Sequence, residues 1–227
     1  MRRSMRILYH LPLSPYSRKV RIALREKALD FELREERVWE RRPEFLAINP
    51  AGMVPVLVEE NGACLCDSVA VTEFLDETYR EPIRLLPDAP IDRAEARRLV
   101  AWFDEKFNGE VTRNLVGEKL FKRLLGRGEP NSSAIRAGGQ NLKTHLDYIG
   151  YLAERRKWLA GDAYSLADIA AAAQVSCIDY IGDIAWDAFP AAKDWYARVK
   201  SRPSLRPILA DHIAGAPPPK HYADLDF

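Results

Sequence analysis

The stretch Asn49-Pro50-Ala51-Gly52-Met53-Val54-Pro55-Val56-Leu57 decides how the first part of this chain folds. An apolar run, residues 56–58, begins directly after Pro55, and a proline can open a β-strand but cannot sit inside one because it lacks an N–H group. The Val54-Pro55 peptide is also one of the few bonds that can be cis, which would bend the chain sharply. We therefore expect a turn that ends in a strand starting at Val56.

Beyond this strand the sequence predicts a second short strand, residues 63–66, and then an amphipathic helix opened by Asp67 and Ser68. This spacing brings the backbone of Val54 and the start of the helix to one end of a small sheet. Strand-edge groups and unpaired helix N–H donors at that end could hold an extended peptide with a free carboxylate.

The residues before the turn predict a strand–helix–strand start. We expect strands over residues 6–10 and 31–38, a helix capped by Ser17, and a short helix over residues 43–48. Strand, helix, strand, hairpin and helix is a thioredoxin-like order, with a parallel pair joined by a right-handed crossover. Residues 1–80 therefore predict an α/β domain.

The second half of the chain predicts helices only. Residues 81–90 form a proline-rich linker, residues 91–212 carry helical periodicity with a possible bend at Gly109, and residues 213–227 form a tail. Ser165 and Asp168 have the spacing of a capping box in front of the alanine-rich residues 169–180. We expect this alanine-rich helix to be buried on all sides.

Residues 6 to about 212 resemble the cytosolic glutathione transferase superfamily, on the Val54-Pro55 pair, the Asp67-Ser68 pair and the capping motif that begins at Ser165. The resemblance implies an α/β plus all-α fold, in which a thioredoxin-like domain precedes a helical one. It also implies that Val54, held by Pro55, pairs with the glutathione backbone. Asp67, in place of the usual Glu or Gln, would hold the γ-glutamyl end together with Ser68.

Ser14 lies in the loop before the first predicted helix, where transferases of the serine and cysteine types carry their activating side chain. A hydroxyl aimed at a bound thiol could stabilise the thiolate, and the positive end of the helix would help. The alternative is that Ser14 only starts a turn before Pro15.

The loop at residues 38–43 places Trp39 beside Arg41 and Arg42, beyond the end of the second predicted strand. Tryptophan and arginine dominate protein-interface hot spots, so these three residues are a candidate partner surface. In transferases this loop commonly contacts the glycine end of glutathione. Trp39 could instead fold back onto its own domain.

The tail carries three consecutive prolines, residues 217–219, and a stiff extended spacer is typical of such a run. Apolar and acidic residues alternate after it, and a merely disordered tail would lack the large apolar ones. These are the candidate contact residues Tyr222, Asp224, Leu225, Asp226 and Phe227. They predict a docking peptide, either for a partner or for the chain's own helical domain.

Composition excludes several classes of function. The 227 residues are 47% hydrophobic and 30% charged with a formal net charge of +1, so we expect a soluble globule and neither nucleic acid nor an anionic membrane as partner. There is no readable signal peptide or membrane-spanning run, so we expect no membrane insertion. Cys64, Cys66 and Cys177 are too few for a disulfide framework, which predicts buried free thiols and a cytoplasmic protein. No metal-ligand spacing is present.

Three segments, residues 39–46, 102–108 and 221–227, make the whole chain similar to the FtsZ-localized protein A family of alphaproteobacterial cell division. The resemblance implies a homodimer that binds FtsZ filaments at midcell, helps to bundle or curve them, and relays a signal to septal cell-wall synthesis, with the tail as a candidate contact. It also implies that members of this family no longer carry out glutathione chemistry. The aspartate at position 67, in place of the usual Glu or Gln, agrees with this implication.

Two hypotheses follow from the sequence. In the first, the chain is a cell-division regulator without enzymatic activity or cofactor, which acts through Trp39, Arg41, Arg42 and the tail. In the second, it is a glutathione transferase that conjugates glutathione to a small electrophile, with Ser14 as the catalytic residue.

Overall fold

The computed structural model describes residues 5–225 and 227; Asp226, one of the predicted tail contacts, lies outside the described residues. The chain divides into two compact units, Met1–Leu85 and Leu86–Phe227. The elements of the first unit are β1 (Arg6–His10), α1 (Pro15–Glu26), β2 (Phe31–Glu35), a 3₁₀ turn (Val38–Glu40), α2 (Pro43–Ile48), β3 (Val56–Val58), β4 (Cys64–Cys66) and α3 (Ser68–Thr78).

The first unit is a four-stranded sheet with the strand order β2-β1-β3-β4. Strands β1 and β2 are parallel, whereas β3 runs antiparallel to both β1 and β4. Leu8 and Leu57 lie opposite each other in the ladder and are both fully buried, as is Val71 of α3. This is the thioredoxin-like arrangement that the sequence predicted.

Three local predictions for this unit were wrong. Helix α1 begins at Pro15, with Ser14 as its N-cap, because the Ser14 backbone is extended and its Oγ accepts a hydrogen bond of 3.2 Å from the N–H of Ser17. Strand β2 ends at Glu35, since the chain then turns into the 3₁₀ segment. Cys64 is exposed and Cys66 half-buried, because β4 is an edge strand of the sheet.

In the described part of the second unit the regular elements are helices, and two isolated β-bridges, Trp158 with Gly161 and Ile213 with Ala216, lie in its turns. Its elements are α4 (Pro90–Ala101), a π-helical continuation (Trp102–Phe121), α5 (Lys122–Leu124), α6 (Ser132–Arg155), α7 (Leu166–Tyr180), α8 (Pro190–Lys200), α9 (Arg206–Leu209) and two 3₁₀ turns (Trp186–Ala188 and Lys220–Ala223). The helical backbone runs through Gly109 to residue 124.

Helix α7 is the centre of the second unit, and all of its residues are buried. The predicted capping box is present: the Ser165 hydroxyl caps the first turn, and the Asp168 carboxylate accepts from the backbone N–H of Ser165 at 3.1 Å. Asp168 also accepts from the indole of Trp195 at 3.0 Å, which ties α7 to α8. Within the ranges the structure describes, no helix is both long and apolar enough to cross a bilayer.

Candidate functional site

Strand register brings the predicted site segments to one end of the sheet. Val56 pairs with Tyr9 on one side and with Cys66 on the other. Residues just before Val56 therefore lie beside the loop that follows β1 and beside the start of α3. Because β2 is parallel to β1, the loop that follows β2 also emerges at this end. We call this end of the sheet the loop end.

The turn at residues 49–55 is held by its own hydrogen bonds. Gly52 N–H donates to the carbonyl of Asn49 at 2.8 Å, and the Asn49 side-chain amide donates to the carbonyl of Met53 at 2.8 Å. Gly52 has φ of 64°, a region where a side chain is strained, and a Cβ there would lie 3.0 Å from Leu46 Cδ2. The Val54-Pro55 peptide is cis. The turn is thus fixed before any ligand arrives.

Val54 presents a free backbone edge at the loop end. Among residues 5–225 and 227, neither its N–H nor its C=O makes a hydrogen bond, and the residue is half-buried. Met53 beside it has 64% of its side chain exposed. A free N–H and C=O on one residue can pair with an extended peptide, as in the addition of a strand to a sheet.

Asp67 uses its own side chain to cap α3. Its Oδ1 accepts hydrogen bonds from the N–H groups of Val69 at 2.7 Å and Ala70 at 3.1 Å. Two of the first-turn donors that could bind a ligand carboxylate are therefore occupied, and a negative charge stands beside the rest. Ser68, next in the chain, keeps a hydroxyl without a hydrogen bond in the described part of the chain.

Ser14 lies at the N-terminus of α1, where its Oγ accepts from Ser17 N–H. The capping role agrees with the interpretation of Ser14 as a local structural residue. A capping hydroxyl accepts a hydrogen bond from the helix through one oxygen lone pair. Its own hydrogen can still be donated to an acceptor such as a thiolate. Ser14 can therefore cap α1 and donate its hydroxyl hydrogen to a ligand at the same time.

The loop after β2 separates two arginines that the sequence had grouped together. Arg42 donates from Nε at 3.2 Å and from Nη2 to the two carboxylate oxygens of Glu36, a residue that is 1% exposed. Arg41 has a left-handed backbone with φ of 48°, and its side chain makes no hydrogen bond or ion pair among the described residues. Its Nη1 lies 3.7 Å from the position a Cβ on Gly52 would take. Trp39 is 38% exposed.

The tail packs on the second unit through two aromatic side chains. Tyr222 is fully buried, donates its hydroxyl to the carbonyl of Ile208 at 3.1 Å and contacts Tyr180 edge-on at 5.1 Å. Phe227 contacts the rings of Trp186 and Tyr196 at 5.0 and 5.8 Å. For these two residues the structure follows the alternative that the tail docks on its own domain.

A buried ion pair, missed at the sequence level, supports the docked tail. Lys200 and Asp179 are both fully buried, 3.7 Å apart, and Lys200 Nζ lies 3.8 Å from the ring centroid of Phe227. Burial raises the pKa of Asp179 and lowers that of Lys200. His221 Nε2 lies 3.3 Å from Asp179. An acid inside the mostly apolar residues 169–180 was the available sequence signal.

The rest of the tail is more accessible. Asp224 is exposed and Leu225 is half-buried. Asp224 adds its charge to the environment of Lys200, so it too acts on the docked arrangement. Within the described ranges, no group of three or more His, Cys, Asp or Glu side chains could hold a metal ion.

Two domain families match the chain. The N-terminal domain of glutathione S-transferases matches residues 8–83, and the C-terminal domain of glutathione S-transferases matches residues 138–203. The first match contains Ser14, Val54 and Asp67, and the second contains the capping box of α7.

Three relatives show how these matches extend over the chain. FtsZ-localized protein A of Caulobacter vibrioides is 52% identical over 225 residues, which covers 98% of each chain. Glutathione S-transferase 3 of Zea mays is 33% identical over 95% of this chain and 98% of its own. The crystal structure of a glutathione S-transferase from Rhodospirillum rubrum superposes with a TM-score of 0.96 at 57% identity, over 98% of this chain and all of that one.

Proposed function

The chain belongs to the glutathione S-transferase superfamily and, within it, to the family of FtsZ-localized protein A; from this premise we propose that it is a non-enzymatic regulator of bacterial cell division. In this proposal it binds FtsZ filaments at midcell in the cytoplasm, organises the division ring and links it to septal cell-wall synthesis. It acts as a homodimer. The observation that carries the proposal is the similarity to FtsZ-localized protein A over nearly all of both chains.

The filament-binding surface in this proposal is at the loop end of the first unit. Trp39 is partly exposed, and the guanidinium of Arg41 is available because no carboxylate in the described residues pairs with it. Such aromatic and arginine side chains supply most of the binding energy in many interfaces. Arg42 supports this surface indirectly, since it holds the loop through Glu36.

The tail contributes a second contact, to a division or cell-wall synthesis protein. Tyr222 and Phe227 serve as anchors to the chain's own helices, because both rings already have aromatic partners there. The partner then meets the accessible face, which includes Asp224 and Leu225. Asp226 remains part of the proposed contact and lies outside the described residues.

The second candidate function is glutathione transfer, which specific geometry favours. The free backbone of Val54, the Ser68 hydroxyl and the hydroxyl hydrogen of Ser14 suit a glutathione peptide and its thiolate. We rank it second because the Asp67 carboxylate occupies donors at the start of α3, where the carboxylate of a γ-glutamyl group would bind.

The test combines two measurements on the same purified protein. Co-sedimentation with FtsZ filaments should pellet the chain, and calorimetric titration with glutathione should give no heat of binding. Trp39→Ala should reduce pelleting, whereas Tyr151→Ala, which removes an aromatic ring that is 53% exposed in the second unit, should leave it unchanged. Binding of glutathione without pelleting would replace the proposal by the transferase alternative, and Ser14→Ala would then be the next variant.

A further inference from the structure

We propose that the loop end binds an extended segment of the FtsZ partner, which pairs its backbone with Val54 and places a carboxylate on Arg41. This inference rests on the proposed function, and it specifies how the partner is recognised. The site would thus use strand addition to a protein segment where a transferase would hold a tripeptide.

The first support is the free backbone of Val54. Its N–H and C=O make no hydrogen bond in the described chain, whereas the flanking strand residue Val56 pairs with Tyr9 and with Cys66. Unpaired strand-edge groups are a template for another chain, and main-chain hydrogen bonds give such complexes their affinity. The turn that carries Val54 is already braced by Asn49, so little order has to be created on binding.

The second support is charge. Arg34 pairs with Glu32 at 2.9 Å, Arg37 with Glu40 at 3.4 Å, and Arg42 with Glu36. Arg41 alone among these four arginines has no carboxylate partner in the ranges that the structure describes. Its guanidinium lies next to Gly52, two residues before Val54. A carboxylate on a segment paired with Val54 therefore has a free cation near the loop end.

The third support concerns which ligand is disfavoured. Glutathione has carboxylates at both ends, and its γ-glutamyl carboxylate would approach the start of α3. There the Asp67 carboxylate already accepts from the N–H groups of Val69 and Ala70, so these two backbone donors cannot bind the γ-glutamyl carboxylate. A protein segment carries no carboxylate of its own main chain at that point, so it does not need these donors and keeps the pairing with Val54.

Met53 provides the apolar part of the recognition. Met53 is 64% exposed and directly precedes Val54. Its backbone carbonyl is held by a hydrogen bond from the Asn49 side chain. Methionine adapts its shape to irregular apolar partners. The segment expected at this site therefore alternates an apolar side chain, set against Met53, with an acidic one that reaches Arg41.

The experiment measures hydrogen exchange at single-residue resolution in the presence of FtsZ filaments. The Val54 amide should exchange rapidly in the free protein and at least about tenfold more slowly in the filament complex, because a new hydrogen bond protects it. Glutathione at millimolar concentration should leave its exchange unchanged. Protection of Val54 by glutathione would overturn the inference.

Matched arginine variants test the charge. Arg41→Glu should weaken filament binding about tenfold or more, since reversal of a charge at a contact costs binding directly. Arg41→Lys should recover most of the binding. Arg37→Glu changes the same charge in the same loop at a residue already paired with Glu40, and it should change binding less than about threefold.

The outcomes separate the inference from the proposed function. Pelleting of the wild-type chain without protection of Val54, or equal losses in Arg41→Glu and Arg37→Glu, would overturn the inference and leave the regulator proposal standing. Failure of the wild-type chain to pellet at all would overturn both.

Discussion

The carboxylate of Asp67 accepts a 2.7 Å hydrogen bond from the backbone N–H of Val69, so helix α3 is capped by the same residue that a transferase would use to hold its substrate. Asp67 adopts φ of 74°, which a residue other than glycine occupies at a cost. The side chain thus compensates for a strained backbone and, by doing so, leaves fewer donors for a ligand.

Two substitutions at Asp67 separate the contribution of its side-chain cap from the cost of its positive φ. Asp67→Ala should destabilise the protein by about 1–2 kcal/mol, because it removes the cap and keeps the unfavourable φ. Asp67→Gly should cost only a few tenths of a kcal/mol, because glycine adopts a positive φ freely and is itself tolerated as a cap. Urea unfolding measures both. Equal costs would show that the backbone conformation at this position contributes nothing.

The adjacent arginines should behave differently. Arg42→Ala leaves the Glu36 carboxylate, which has no exposed side-chain surface, without its ion pair, so the midpoint of urea unfolding should fall. Arg41→Ala removes no hydrogen bond or ion pair of the described residues and should leave this midpoint unchanged. A fall in both variants would contradict the assignment of Arg41 to a partner and Arg42 to the fold.

Tyr222 should contribute strongly to stability. Tyr222→Ala empties a fully buried site against Tyr180 and should cost about 3–5 kcal/mol. Tyr222→Phe removes only the hydroxyl that donates to Ile208 and should cost about 1 kcal/mol. Denaturant titration followed by fluorescence distinguishes the two. Costs below 1 kcal/mol for Tyr222→Ala would show that the tail is not docked in solution.

This role of Tyr222 changes how the tail should be probed. Removal of residues 222–227 would delete a core side chain together with the proposed contacts, so its phenotype would mix stability with partner binding. Asp224→Asn alters an exposed position and leaves Tyr222 in place. It should reduce binding of the second partner, while the free energy of unfolding falls by no more than about 1 kcal/mol through the lost attraction to Lys200.

Glu95 should make stability depend on acid pH. Hydrogen bonds from Arg98 and Arg156, both at 2.7 Å, lower the pKa of Glu95 to about 2. A glutamate in the unfolded chain titrates near about 4.3, so the stabilisation is complete above that pH and is lost as the pH falls towards 2.

Comparison with Glu95→Gln isolates this effect. The wild type should be more stable than the variant by about 1–3 kcal/mol at neutral pH, and the difference should shrink between pH 4.5 and 2. Parallel denaturant titrations across that range provide the measurement. A difference that does not change with pH would rule out the carboxylate as its source.

The fold was predictable where the signals were local. The Val54-Pro55 pair at the start of a strand and the Ser165-Asp168 spacing before α7 depend on backbone chemistry over a few residues, and both are present. The start of α1 was misplaced because Ser14 and Ser17 are both good caps. Pro15, which favours the first helical position, could have decided between them.

The candidate site was less predictable because its properties depend on distant partners. Arg41 and Arg42 are alike in sequence, and only the burial of Glu36 after the sheet forms gives Arg42 its partner. The sequence predicted Tyr222 as a docking residue. It did not predict the ring that Tyr222 contacts, Tyr180, because that residue lies 42 positions earlier in the chain. The roles of Arg41, Arg42 and Tyr222 in binding FtsZ or another partner stay predictions.

The edge position of β4 gives this chain a built-in attachment point for a spectroscopic reporter. Cys64 is exposed on that edge, whereas Cys177 is buried and burial raises the pKa of the Cys66 thiol. Since thiolates are the species that react with maleimides, a dye added near neutral pH should label Cys64 first. Its emission would then report whether the sheet edge becomes covered as the protein assembles, without any engineered cysteine.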